Sequence, residues 1–244
     1  MYGLIGEKLG HSFSADFFNK KFKQESIEES YRLFPLPRIE ELLKLISSFP
    51  DLKGLNVTIP YKQAVIPYLS YISPEAREIG AVNTIKIVRN GSNIILEGYN
   101  SDCIGFQNSL TPLLNKKIKR ALVLGTGGAS KAVVYILKKL GITPTLVSRN
   151  PKNKELNYSQ LDQDLIASNL LIVNTTPLGT FPDTESCPPI PYHLLSKDHL
   201  CYDLVYNPEV TKFMKECEKY GAKVKNGLEM LHLQALASWD FWNQ

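Results

Sequence analysis

The chain has 244 residues, 43% hydrophobic and 21% charged, with a formal net charge of +4. That length holds one large domain or two small ones with a real core, in the composition of an ordinary soluble globular protein. Mild charge, and no apolar run approaching about 20 residues, set aside a membrane span and any strong electrostatic pull on a partner.

Basic runs such as "NKKIKR" (115–120) and "KK" (138–139) adjoin predicted element ends, so they read as solvated faces and no nucleic-acid partner is expected. The four cysteines, at 103, 187, 201 and 217, have neither C-x-x-C nor zinc-ligand spacing, and the four histidines have no H-x-x-x-H. No metal is expected, and the thiols read as free ones in a reducing cytoplasm. The opening "MYGLIGEKLGHS" lacks a basic n-region leading into an apolar h-region, so no secretory signal is expected.

In chain order, "YGLIG" (2–6) predicts a strand and "SADFFNKKFKQ" (14–24) an amphipathic helix with Ser14 as N-cap. "SYRLFPL" (30–36) is a second strand, "IEELLKLISSF" (39–49) a second helix and "LKGLNVTI" (52–59) a third strand. Within that strand Val57 and Ile59 point to the core, so Asn56 and Thr58 share the opposite face. Pro60 ends the ladder, and Lys62 follows at once. "AVNTIKIV" (81–88) and "NIILEGYN" (93–100) flank the turn "RNGS", a predicted hairpin, and "SDCIGFQNSLTPLL" (101–114) is a helix.

A second α/β unit follows. "RALVLGTGGASKAVVYILKKLG" (120–141) is strand, glycine turn and helix; "PTLVSRN" (144–150), "LLIVNTTPLG" (170–179) and "LCYDLVYNP" (200–208) are further strands. Strands separated by helices predict parallel crossovers and a doubly wound sheet. "LEMLHLQALASWDFW" (228–242) is strongly apolar with helical spacing.

Gly125 and Gly127 stand directly after a strand and at the mouth of a helix, the context of a dinucleotide fingerprint, although Ser130 replaces its third glycine. At the end of the next strand, where NAD sites carry an acidic residue, the chain reads Ser148-Arg149-Asn150 followed by Lys152 and Lys154. A guanidinium there suits a 2′-phosphate, so NADP is expected before NAD. In the first half, polar groups gather at element ends: Ser12 and Ser14, then Asn56, Thr58 and Lys62, then Asn83 and Thr84, then Asn100, Ser101 and Asp102. Each has an ordinary use as a cap, a turn or a solvated charge; their common placement on a rigid scaffold points to a site.

The motifs "GEKLGHSFS", "NVTIPYK", "GAVNT", "GYNSDCIGF", "LGTGGASKA", "NTTPLG", "DLVYNP" and "NGLEMLHLQA" occur in the order seen in shikimate dehydrogenases, which the chain resembles over nearly its whole length. The resemblance implies an α/β enzyme with a substrate and catalytic domain (1–101), completed by the C-terminal helix (229–244). A Rossmann-like doubly wound NADP-binding domain (102–228) and a cleft between the two are implied with it. The implied reaction is the NADPH-dependent, reversible reduction of 3-dehydroshikimate to shikimate on the way to chorismate and the aromatic amino acids. The expected location is the cytoplasm, from the free thiols, and the sequence is compatible with a monomer or a homodimer alike.

By the same resemblance, Ser12 and Ser14 bind the substrate carboxylate, with Tyr206 near it. Thr58, Asn83, Asp102 and Gln234 meet the ring hydroxyls and keto oxygen, supported by Asn56 and Asn100. Lys62 is the catalytic lysine, paired with Asp102. Gly125, Thr126, Gly127, Gly128 and Ala129 form the diphosphate loop, and Ser148, Arg149, Asn150 and Lys152 the adenosine-phosphate region. Leu204 and Gly227 offer backbone near the nicotinamide. The chain departs from the family pattern at Ala15, Phe18, Thr126 and Asn153. The family often has an arginine at the last of these, which leaves Lys152 or Lys154 to take one phosphate contact and predicts a looser NADP preference. Two other functions fit the pattern less well: a quinate/shikimate dehydrogenase using NAD, and a nucleotide-binding regulatory module without turnover.

Overall fold

The computed structural model describes residues 1–10, 12–91 and 93–244. His11 of the opening motif and Ser92 of the predicted turn lie outside the described residues. The chain divides into two compact units, residues 1–101 with 235–244, and residues 102–234.

The first unit contains β1 (Tyr2–Gly6), α1 (Phe13–Gln24), β2 (Tyr31–Pro35), α2 (Leu42–Ser48), β3 (Gly54–Val57), α3 (Tyr61–Ala64) and β4 (Tyr71–Ile72). It continues with α4 (Pro74–Ile79), β5 (Thr84–Asn90), β6 (Asn93–Tyr99) and the start of α5 (Ser101–Leu110). Its sheet runs β2-β1-β3-β5-β6-β4. The first three strands pair in parallel, β5 is antiparallel to both β3 and β6, and β4 pairs in parallel with β6. Strand alternation divides the core in two. Ile5, Leu55 and Val57 enter one cluster with Leu42 and Ile46 of α2; Tyr2 and Leu4 enter another with Phe18 and Phe22 of α1.

The second unit contains β7 (Arg120–Leu124), α6 (Gly128–Lys139), β8 (Thr143–Ser148), β9 (Leu156–Asn157), α7 (Gln163–Ser168), β10 (Leu171–Asn174) and β11 (Leu200–Asp203). α8 (Lys212–Glu218), β12 (Lys223–Lys225) and the first part of α9 (Leu228–Asn243) complete it. Its six strands are all parallel in the order β12-β11-β10-β7-β8-β9. This is a doubly wound sheet, and its chain order reverses between β7 and β10. At such a switch point the loops beyond the strand ends splay apart and leave room for a ligand.

From Ala235 on, α9 belongs to the first unit. There Trp242 stacks on Tyr2 at 4.6 Å between ring centroids, and its Nε1–H donates to the Ile85 carbonyl at 3.0 Å. A Cβ on Gly54 would stand 2.3 Å from Trp242 Nε1, so only a glycine lets this indole lie on β3.

Several expectations are corrected. α1 begins at Phe13 with Ser12 at its N-cap, and Ser14 lies within the first turn. The third strand stops at Val57 and not at Ile59, whose side chain is 75% exposed and forms no part of the core. Thr58 N–H still reaches the Ile5 carbonyl at 2.9 Å, but Thr58 C=O already accepts from Tyr61 N–H and turns the chain into α3. Pro60 therefore sits at the N-cap of α3, where a missing N–H is harmless, and does not itself end the ladder. The second helix opens as a 3₁₀ turn over Ile39–Glu41. Strands β4, β9 and β12 are too short, at two or three residues, to leave a periodic pattern in the sequence.

Candidate active site

In the first unit the polar corner residues converge, but mostly on one another. Asn56 is 6% exposed. Its Oδ1 accepts from the Tyr31 hydroxyl at 2.8 Å, and its Nδ2 donates to Ser238 Oγ at 2.9 Å and the Asn83 carbonyl at 3.2 Å. Ser14 lies near the same phenol and only partly offsets the effect of its burial. Burial pushes the Tyr31 phenol far up, so it keeps its proton.

Asn83 Oδ1 accepts from the Ser101 N–H at 2.7 Å, and its Nδ2 donates to Ser101 Oγ at 3.0 Å. Thr84 Oγ1 and Ser101 Oγ both lie within 3.0 Å of Ser238 Oγ. Asn100 Nδ2 donates to the Ala81 carbonyl at 2.9 Å. A buried amide without partners would cost about 1–3 kcal/mol, so this mutual satisfaction holds the corners of β3, β5 and α5 in one arrangement. Thr58 and Lys62 are half-buried at the rim, and the Lys62 carbonyl takes the Val82 N–H at 2.7 Å. Asp102 is buried in the first turn of α5, where the helix dipole favours a negative charge.

Tyr31, Thr84, Ser101 and Ser238 are thus part of the constellation. Thr84 and Ser101 were already among the polar groups gathered at element ends in the sequence, though without a role of their own. Ser238 had one signal: it is a lone hydroxyl on an apolar helix, four residues after Gln234. Tyr31 had none, because an aromatic in a strand ordinarily means core.

In the second unit the carboxyl ends of β7, β8, β10 and β11 carry the remaining candidates. Gly125 has φ +104°, and a Cβ there would be 2.9 Å from Thr175 Oγ1, so a glycine is required at this turn. Gly127 caps α6 and has open space where a Cβ would stand, with no atom within 4 Å. α6 opens with the N–H groups of Gly128 and Ala129 directly after this uncrowded turn, an arrangement that suits a phosphate. Thr126 is exposed beside it. Ser130, in place of the third glycine, turns its hydroxyl to the Gly127 carbonyl at 2.6 Å.

Ser148 ends β8, and its Oγ accepts the Asn150 N–H at 3.2 Å. Arg149, Asn150, Lys152 and Lys154 are exposed on the loop that follows, and Glu155 is occupied by the Lys152 N–H at 2.8 Å. Leu204 and Gly227 do meet: a Cβ on Gly227 would fall 2.1 Å from the Leu204 carbonyl oxygen. Tyr206 is exposed two residues further on, and Gln234 is buried on α9 with Nε2 bonded to the Leu231 carbonyl at 3.1 Å. The donor set and the open glycine cradle fit a phosphorylated dinucleotide. Among the described residues no three histidine, cysteine or acidic side chains gather as a metal site, and no helix is long and apolar enough to cross a membrane.

Comparison with known proteins agrees along the chain. The family model for the shikimate dehydrogenase substrate binding domain matches residues 4–85. A shikimate dehydrogenase (NADP(+)) of Clostridium beijerinckii is 40% identical over 100% of this chain and 92% of its own length. The crystal structure of shikimate dehydrogenase from Aquifex aeolicus superposes with a TM-score of 0.86 at 38% identity, covering 99% of this chain and 91% of that one. The Thermus thermophilus shikimate 5-dehydrogenase, solved in complex with NADP(H) and shikimate, gives 0.85 at 30% identity, with 99% and 92% covered.

Proposed function

The chain belongs to the shikimate dehydrogenase family, and we propose that it reduces 3-dehydroshikimate to shikimate reversibly with NADPH, in the biosynthesis of chorismate and the aromatic amino acids. The observation that carries this is identity of 40% along the whole chain with a relative named for that activity and cofactor. The protein is an NADP-dependent oxidoreductase acting on a CH–OH group. The absence of a carboxylate at the end of β8, with Arg149 in its place, supports NADP over NAD.

The reading gives the cofactor to the second unit and most of the substrate contacts to the first. Ser12 and Ser14 hydroxyls would bind the substrate carboxylate, and Thr58, Asn83 and Gln234 the ring oxygens. Asn56 and Asn100, spent on protein partners, would act by holding their neighbours. The Gly125–Ala129 turn would hold the diphosphate, Arg149 with Lys152 the 2′-phosphate, and the Leu204 and Gly227 backbone the nicotinamide end. When bound, NADPH supplies the hydride. A ketone that accepts a hydride develops negative charge on its oxygen. The Lys62 ammonium would stabilise that charge and deliver the proton. Asp102 would act with Lys62, and in the reverse direction the neutral amine would accept the hydroxyl proton.

The test is steady-state oxidation of NADPH with 3-dehydroshikimate, run beside quinate and NAD. Turnover that requires 3-dehydroshikimate and prefers NADPH is expected. Turnover only with quinate and NAD, or none at all, would overturn the reading.

A further inference from the structure

Asp203 is a buried carboxylate for which the proposed chemistry has no use, at the carboxyl end of β11. Its Oδ1 accepts from Asn174 Nδ2 at 2.9 Å and from the Val205 N–H at 3.0 Å, and its Oδ2 accepts from Thr211 Oγ1 at 2.6 Å. Three donors and no acceptor face it, so all its bonds are made to the ionised form. The side chains that meet it are Asn174 from β10 and Thr211 from the cap of α8, with the Cys217 thiol of α8 in electrostatic reach. Among the described residues it has no ion pair, and Lys225 on the adjoining β12 is tied to Glu229 at 2.5 Å instead.

An anion buried without a cation is expensive, so the arrangement calls for a purpose. Its bonds supply one. Val205 and Thr211 are the two ends of the loop that follows β11, and a single carboxylate closes it at both. The same loop is pinned where Leu204 N–H donates to the Asn174 carbonyl at 2.9 Å and Gly227 N–H to the Val205 carbonyl at 3.1 Å.

We infer that Asp203 is a positioning residue for the nicotinamide end of the dinucleotide: ionised, it braces the 204–211 loop so that the Leu204 and Gly227 backbones keep their close approach. This rests on the NADP reading of the second unit. Oδ1 already serves two N–H donors, so the amide introduced by Asp203→Asn must place its NH₂ where Oδ2 stood, against the Thr211 hydroxyl. Thr211 Oγ1 also accepts the Met214 N–H at 3.2 Å as the cap of α8, so its turning would loosen the loop at that end. Burial raises the Asp203 carboxyl to about 6, so acid should release the brace within a measurable range.

The experiment measures NADPH binding by fluorescence titration for the wild type and Asp203→Asn, with 2′,5′-ADP as a probe lacking the nicotinamide. At about pH 8 the variant should bind NADPH about tenfold more weakly, the loss of one charge-assisted hydrogen bond, and 2′,5′-ADP unchanged. At about pH 5.5, where most wild-type Asp203 is itself protonated, the difference should narrow to about threefold. Titration of the 2′-phosphate cancels in this comparison, because both proteins bind the same ligand. Thr211→Val should reproduce the loss and Thr211→Ser restore binding, which keeps the test open if Asp203→Asn does not fold. Equal NADPH binding by wild type and variants, or a loss shared by 2′,5′-ADP and independent of pH, would overturn the inference alone. A wild type that binds neither ligand would overturn the NADP reading with it.

Discussion

Lys62 and Arg149 carry the two charges on which the proposed chemistry turns, and they act at different stages. In that proposal the Lys62 ammonium would meet full negative charge only as the keto oxygen becomes an alkoxide. Lys62→Ala should therefore lower kcat by about 10²–10⁴ while the KM for 3-dehydroshikimate stays within about twofold. Steady-state kinetics checks this, and a nearly normal kcat would remove the lysine from the mechanism. Arg149 would meet a group present in NADPH and absent from NADH. Arg149→Ala should raise the KM for NADPH about tenfold and leave that for NADH nearly unchanged. Asp203 makes a prediction of the opposite sense to most carboxylates. Its folded pKa, about 6, lies above the ordinary 3.8, so the folded state takes up the proton first as pH falls. Stability from this group therefore rises on acidification between those values, by on the order of 3 kcal/mol in full. In urea unfolding, the wild type should gain stability relative to Asp203→Asn, which has no such proton to take up, from pH 7 toward pH 4.5.

Among the elements, the turn between β7 and α6 separates two uses of glycine. At Gly125 the backbone is left-handed, at φ +104°, and Thr175 crowds the Cβ position. Gly125→Ala should cost about 1–3 kcal/mol of stability, visible as a lower melting temperature. Gly127 has an ordinary φ and open space, so Gly127→Ala should leave the melting temperature nearly unchanged yet weaken NADPH binding, because the new methyl would occupy the phosphate's volume. If both variants melt early and bind alike, the open space at Gly127 has no part in binding. The β3-to-α3 connection makes a similar distinction. Val57 is held by the core, Ile59 is released to solvent, and the chain turns between them so that Lys62 stands on α3 at the rim.

At the scale of the molecule, the chain leaves the first unit at residue 101, builds the second through 234, and returns with the rest of α9. Those last ten residues cover one face of the first sheet and bring both Trp242 and Ser238. Trp242 lies among Tyr2, Phe18 and Tyr31. Trp242→Ala should destabilise the first unit by about 3–5 kcal/mol. Thermal unfolding followed by tryptophan fluorescence and by circular dichroism should show it as an earlier transition, with the second unit's sheet melting as before. An unchanged first transition would mean that the indole is dispensable to that core.

By itself the sequence determined what is local. The strand, glycine turn and helix at 120–141 was readable because one segment holds the whole pattern. The NADP preference followed from what ends β8, and the family from eight short motifs in order. The tertiary structure alone decided which polar residues meet. Asn56 faces away from Val57 as alternation requires, but it spends its amide on Tyr31 and Ser238, which are 25 and 182 residues away. Asp203 stood in a recognised motif without a role until Val205 and Thr211 were seen to close on it. The reason is physical. A side chain's direction follows from its neighbours in the chain, whereas a buried polar group is satisfied by whatever partners folding brings to it, and no spacing along the sequence names them.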